Sequence, residues 1–269
     1  MGGGGVRFAL CIEYDGSTYQ GWQSQPHGQT LQDHLERALS SIAGERIHVV
    51  AAGRTDAGVH AHAQIIHFDT LALRPLQAWV RGVNAHLPGT IAVRWARAVA
   101  EDFHARFCAR NRSYRYILYN HPIRPALQRG RVGWYHRPLD AQAMAAAAVH
   151  LLGEHDFSTF RASECQARSP VKTLLKADVS RRDEYLVFEF QATGFLHHMV
   201  RNMVGALLWV GYGKETATWF PTLLAARNRT LAPPTFMPDG LYFVGVDYDI
   251  RWNLPQGGRI IAPLPSLLI

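Results

Sequence analysis

The sequence predicts an α+β chain: two similar α/β halves sharing a mixed, largely antiparallel sheet, with helices packed on one face. Two observations carry this. Runs rich in β-branched and aromatic residues alternate with stretches whose apolar residues recur every three or four positions. The order strand–helix–strand–strand–helix occurs before residue 108 and again after it, without a repeat in the residues themselves. The expected boundaries are 6–107, 108–250 and a Pro- and Gly-rich tail over 251–269 that runs across the surface. The opening "MGGGG" reads as a disordered start.

The elements follow in order. "VRFALCIEYDG" is a buried strand ending in a D-G turn, and "TLQDHLERALSSIAG" sets Leu31, Leu35, Leu39 and Ile42 on one helical face. Thr30 caps that helix and Gly44 closes it. "RIHVVAAG" and "AQIIHFD" read as two further strands, so the segment between them is a loop. "LQAWVRGVNAHL" is a second helix, and "IAVRWARAV" returns as a strand.

In the second half "RSYRYILYN" is a strand, and "LDAQAMAAAAVHLLG" a helix started by Asp140 and closed by Gly153. "TLLKADVSRR" and "YLVFEFQATG" form an antiparallel pair turning at Arg182-Asp183. "HHMVRNMVGALLWVG" is a helix and "GLYFVGVDY" the last strand.

The chain has 269 residues, 48% hydrophobic and 18% charged, enough for a substantial core. Its net charge of +7 is carried by arginine, which forks to phosphate and stacks on bases, so a nucleic-acid partner is the first expectation. A merely basic globular enzyme is the alternative. Cys11, Cys108 and Cys165 have neither disulfide nor zinc spacing, which fits reduced thiols. With no signal peptide or spanning segment evident, a soluble cytoplasmic protein is expected. His60-x-His62, His197-His198 and His150…His155 lack a carboxylate or cysteine at ligand spacing, and no Walker loop, G-x-G-x-x-G or G-x-S-x-G appears. The expectation is chemistry with no metal and no nucleotide cofactor.

Three features carry chemistry. "AAGRTDAGVHA" (Ala51–Ala61) puts Arg54 and Asp56 beside two glycines. It reads as an Asx-type turn with a positive φ at Gly58, or as a carboxylate presented to a ligand. Arg201 is the one charge on the apolar helix near Met199–Gly211. A buried guanidinium demands a carboxylate or phosphate, either as a structural ion pair or to orient a reacting aspartate. Tyr114 and Tyr116 share a strand face among Arg110, Arg112 and Arg115, which suits base stacking or simply a core.

Together "EYDGSTYQGWQSQP", "AAGRTDAGVHAHAQIIHF", "FHARFCARNRSYRYILYN", "GEHDFSTFRASECQ", "FLHHMVRNMVGALLWVG" and "GLYFVGVDY" resemble the tRNA pseudouridine synthase A family, in its order, from about Val6 to Asp249. The resemblance implies the pseudouridine synthase fold, a homodimer, and isomerisation of uridines at positions 38, 39 and 40 of the tRNA anticodon stem-loop. It implies no cofactor. It puts the catalytic aspartate on Asp56, in the first half, and the substrate-contacting tyrosine on Tyr114. The aspartate's basic partner falls on Arg201, and the arginine that helps displace the base on Arg54. Two other readings use the same residues: a non-catalytic RNA-binding protein, and an aspartyl-nucleophile enzyme for small phosphorylated or halogenated substrates. The latter wants a further acidic cluster, which "RTDAGVH" lacks.

Overall fold

The computed structural model describes residues 5–255. The glycine-rich start up to Gly4 and the part of the expected tail from residue 256 lie outside the described residues. The chain divides into two compact units. One comprises the chain to Arg110 together with that from Phe243 onward, the other Asn111–Tyr242.

The first unit opens with β1 (Val6–Tyr14), α1 (Leu31–Ala43), β2 (Val50–Ala51), β3 (His60–Thr70), α2 (Val83–His86) and β4 (Ile91–Val99). β1 lies between β3 and β4, antiparallel to both, with Leu10 opposite Ile66 on one side and Ala96 on the other. Ala9 to Ile12 are all buried, so both faces of β1 are covered. This explains an apolar run without alternation.

α1 forms as its ends foretell. Thr30 and Asp33 exchange a capping box, and Gly44, in the left-handed region, closes the last turn through its N–H to Ser40 O at 2.9 Å. Leu31, Leu35 and Leu39 are buried and Ile42 half-buried.

Two expectations here are corrected. "RIHVVAAG" yields a strand only at Val50–Ala51, because α1 side chains take the preceding backbone donors. Ile47 N–H goes to Ser40 Oγ at 2.9 Å and Val49 N–H to Glu36 Oε1 at 3.0 Å. The second helix is interrupted by a π-helical turn over Ala78–Gly82, where the buried Trp79 packs on Phe8 and Phe68 at 5.3 and 5.2 Å.

The second unit contains β5 (Ala109–Asn120), β6 (Gly133–Tyr135), α3 (Ala141–Ala148), β7 (Gly153–Asp156), β8 (Val171–Arg182), β9 (Tyr185–Ala192), α4 (Met199–Gly211) and α5 (Trp219–Ala226). Its strands run β5-β9-β8-β7, each antiparallel to the next, and β6 pairs parallel to β5. The sheet is therefore mixed, with helices packed on it.

Asp140 caps α3, its carboxylate accepting from Gln142 and Ala143 N–H at 2.8 and 3.0 Å. The helix ends earlier than expected, at Ala148, in a 3₁₀ turn, and Gly153 begins β7. The turn between β8 and β9 has Asp183 at a φ of 53°. β6, β7 and α5 have no counterpart in the sequence reading. The two strands are too short to show a period, and α5 carries Pro221 in its first turn, where its missing N–H is tolerated.

The last strand, β10 (Leu241–Tyr248), follows β3 in the first unit's order β4-β1-β3-β10. Beyond it the chain does not run along the surface at once. Ile250–Trp252 makes a 3₁₀ turn, and Trp252 is buried edge-on to Phe103 at 5.3 Å. Among the described residues no helix is long and apolar enough to cross a membrane.

Candidate active site

β2 hands the chain to a loop that returns it as β3, and Arg54 and Asp56 stand on that loop. The structure has a turn here with the positive φ expected at Gly58, closed by the Asp56 main chain where the sequence suggested an Asx-type turn. Asp56 O accepts from Val59 N–H at 3.2 Å, and Gly58, with φ of +80°, takes the position of a type II turn that needs a positive φ. A turn and an accessible carboxylate are compatible in one motif. Asp56 opens the turn, half-buried, while Arg54 is exposed and Thr55 between them is buried.

The segment after β1 packs against this loop. Trp22 N–H donates to Thr55 O at 3.0 Å. Gly21, with φ of +86°, comes so close that a Cβ there would lie 3.0 Å from the same oxygen. At the loop's far end His60 Nδ1 is 3.1 Å from Gly16 N and 3.2 Å from an Asp15 carboxylate oxygen. The His60 contact, helped by Ser17, outweighs burial and holds the Asp15 carboxyl well below the ordinary carboxylate range. A carboxylate on a loop braced in this way, with a guanidinium two residues before it, is equipped for nucleophilic or general-base chemistry on an anionic substrate.

In the second unit Tyr114 lies on β5, half-buried, with Phe195 edge-on at 4.9 Å. Tyr116, on the same strand face, belongs to the core. It is fully buried and its hydroxyl donates to Met237 O at 2.9 Å. The stacking reading is therefore dropped for Tyr116.

The arginines around them have structural partners. Arg115 donates to Glu189 at 2.7 and 3.1 Å, where Lys176 also donates at 2.7 Å. Burial would raise the Glu189 carboxyl, but these two cations hold it below the usual value. Arg112 donates to Thr193 O at 3.1 Å, and in the first unit Arg110 pairs with Asp249. Arg201, near the start of α4, is half-buried rather than enclosed, and its Nε donates to Phe236 O at 2.8 Å. The backbone carbonyl takes up part of the hydrogen-bonding demand that the sequence assigned to an anion.

The structure thus brings Arg54 and Asp56 together on one loop, and sets Tyr114 and Arg201 in the second unit. Residues that the sequence reading left without a role are those that hold the loop: Gly21, Trp22 and Thr55. The signal was the string "EYDGSTYQGWQ", whose turn residues and aromatics wrap the motif.

Comparison with known proteins adds an independent finding. A family model described as tRNA pseudouridine synthase matches residues 10–108 and 147–249. A tRNA pseudouridine synthase A of Chromobacterium violaceum is 62% identical over 252 residues, covering 93% of this chain and 96% of that protein. One of Aromatoleum aromaticum is 57% identical over 257 residues, covering 96% and 97% respectively.

Proposed function

This chain belongs to the tRNA pseudouridine synthase family, and on that premise we propose that it isomerises uridines 38, 39 and 40 of the tRNA anticodon stem-loop, as a cytoplasmic homodimer without a cofactor. The observation that carries the reading is the braced loop that presents Asp56 half-buried and Arg54 exposed.

Uridine is joined to ribose through N1, and pseudouridine through C5. The C1′–N1 bond must break, the uracil must turn while held, and the C1′–C5 bond must form. The proton that leaves C5 balances the one gained at N1. One ionised carboxylate is the minimum tool. Asp56 can attack C1′ to give a glycosyl ester, add to C6 of the base, or take the 2′ proton to give a glycal. A hydrolase would instead need a second carboxyl and a water.

A stem uridine is paired and stacked, and flipping it costs a few kcal/mol. Arg54, exposed two residues from Asp56, fills the vacated space or grips a phosphate. Tyr114 stacks on the detached uracil, and its hydroxyl relays the C5 proton. Arg201 is the basic partner of the aspartate that the family resemblance implies.

The test is to incubate an unmodified tRNA transcript with the purified protein alone and map pseudouridine. Product confined to positions 38–40 supports the reading. Binding without product is the outcome expected of an RNA-binding protein, and product elsewhere contradicts the site assignment.

A further inference from the structure

The pairing of β2 with β3 stops in an unusual way. Val50 faces His67, Ala51 faces Ile66, and Ala52 N–H donates to Ile65 O at 2.8 Å. The next residue, Gly53, stands where the backbone of Gln64 would continue the ladder. The Gln64 side chain takes that place instead. Its Nε2 donates to Gly53 O at 2.6 Å, and Gly53 N lies 3.4 Å from its Oε1. A primary amide is the neutral side chain that offers a donor and an acceptor together, as a strand partner does. Gln64 is fully buried.

Two residues on, a second buried contact grips the loop. The Tyr14 hydroxyl lies 2.7 Å from Thr55 Oγ1, with Tyr14 2% and Thr55 6% exposed. Gly53 and Thr55 are thus each tied to the sheet by a buried polar side chain. Arg54 is left between them, and Asp56 immediately follows.

We propose that Tyr14 and Gln64 are positioning residues for Asp56, a buried hydrogen-bonded clamp that ends the β2–β3 ladder and fixes where the carboxylate stands. The inference rests on the reading of Asp56 as the reacting carboxylate. The clamp has more than a packing role because both anchor points lie within three residues of Asp56 along the chain. Misplacing a reacting group by about 1 Å costs on the order of 100-fold in rate. Breaking either contact frees the loop without touching any group that meets the substrate.

The experiment compares Tyr14→Phe, Thr55→Val, Thr55→Ser and the Tyr14→Phe/Thr55→Val pair, with Gln64→Glu as a second probe. Once ionised, at a pH high enough to overcome its burial, the carboxylate introduced by that last change keeps the acceptor and loses the donor to Gly53 O. For each, the single-turnover rate at saturating enzyme, the tRNA Kd and the thermal midpoint are measured. The expected result is a rate loss of about 10-fold or more for Tyr14→Phe, Thr55→Val and Gln64→Glu, with Kd within about twofold. Thr55→Ser keeps the oxygen and should stay near wild type. The double variant should be no slower than the slower single, because both remove one bond and the pair leaves no buried hydroxyl unmatched. Wild-type rates in Tyr14→Phe and Thr55→Val, multiplying losses in the double, or losses that follow Kd would each overturn the clamp. Wild-type protein that makes no pseudouridine would defeat the functional reading and the positioning role with it. Wild-type product with unimpaired variants would defeat the clamp alone.

Discussion

Gly21 sits with its α-carbon against the loop that carries Asp56. A Cβ at this position would stand 3.0 Å from Thr55 O, 3.2 Å from Ala57 N and 3.3 Å from the Asp56 carbonyl carbon. All three are backbone atoms, which cannot swing aside as a flexible side chain would. Gly44 is the natural control. It shares the left-handed backbone, with φ of 75° against 86°, but nothing lies within 4 Å of its missing Cβ. Gly44→Ala should therefore cost about 1–2 kcal/mol of stability and leave turnover intact. Gly21→Ala adds displacement of the loop and should lower turnover by about 10-fold or more. Urea unfolding with single-turnover assays separates the two effects, and equal behaviour of the two variants would contradict the close approach.

Arg201→Met tests the assigned counter-ion. Methionine keeps the bulk of the side chain but removes the guanidinium that donates to Phe236 O. Arg201 is proposed as the basic partner of the reacting carboxylate, so its loss removes that partner. Turnover should drop strongly, with a smaller loss of tRNA affinity. Arg201→Lys should retain part of the activity, as a point charge without the planar fork. Wild-type turnover in Arg201→Met would make the residue structural.

What the sequence showed and hid can be traced to particular residues. Thr30 and Gly44 announce both ends of α1 because capping is local, and the structure has each in that role. The turn at Gly58 was legible for the same reason. Residues 46–49 look like a strand, yet Ser40 and Glu36 on α1 take two of their donors, which no one-dimensional pattern records. Tyr114 and Tyr116 are equivalent by strand periodicity, and only packing sends Tyr116 into the core. The link from Gln64 to Gly53 was hidden too. It exists only once β2 and β3 align, across eleven residues of sequence.

Stability should fall in mild acid through His67. This ring is buried on β3 and its Nδ1 accepts from Ala105 N–H at 3.1 Å, which requires the neutral form. Burial, then the neighbouring His104 and Arg7, lower its pKa to about 4. In the unfolded chain it protonates near the ordinary value of about 6.5. Between those two values the unfolded state binds the extra proton, so the contribution is whole above about pH 6.5 and is lost as pH falls toward 4. His67→Asn keeps an acceptor for Ala105 but cannot titrate. Its urea-unfolding free energy should vary less across that window than the wild type's, whatever its absolute stability. Parallel profiles would show that other groups set the acid response.

The most direct test of the account is Asp56→Asn under single-turnover conditions, with pseudouridine mapped in the tRNA. The change is nearly isosteric on a half-buried loop residue, and it removes the proposed nucleophile or base without removing Arg54 or the turn. The account predicts no detectable pseudouridine while tRNA affinity stays within a few-fold of wild type. Product formed at a tenth of the wild-type rate or faster would show that the Asp56 carboxylate is not the reacting group.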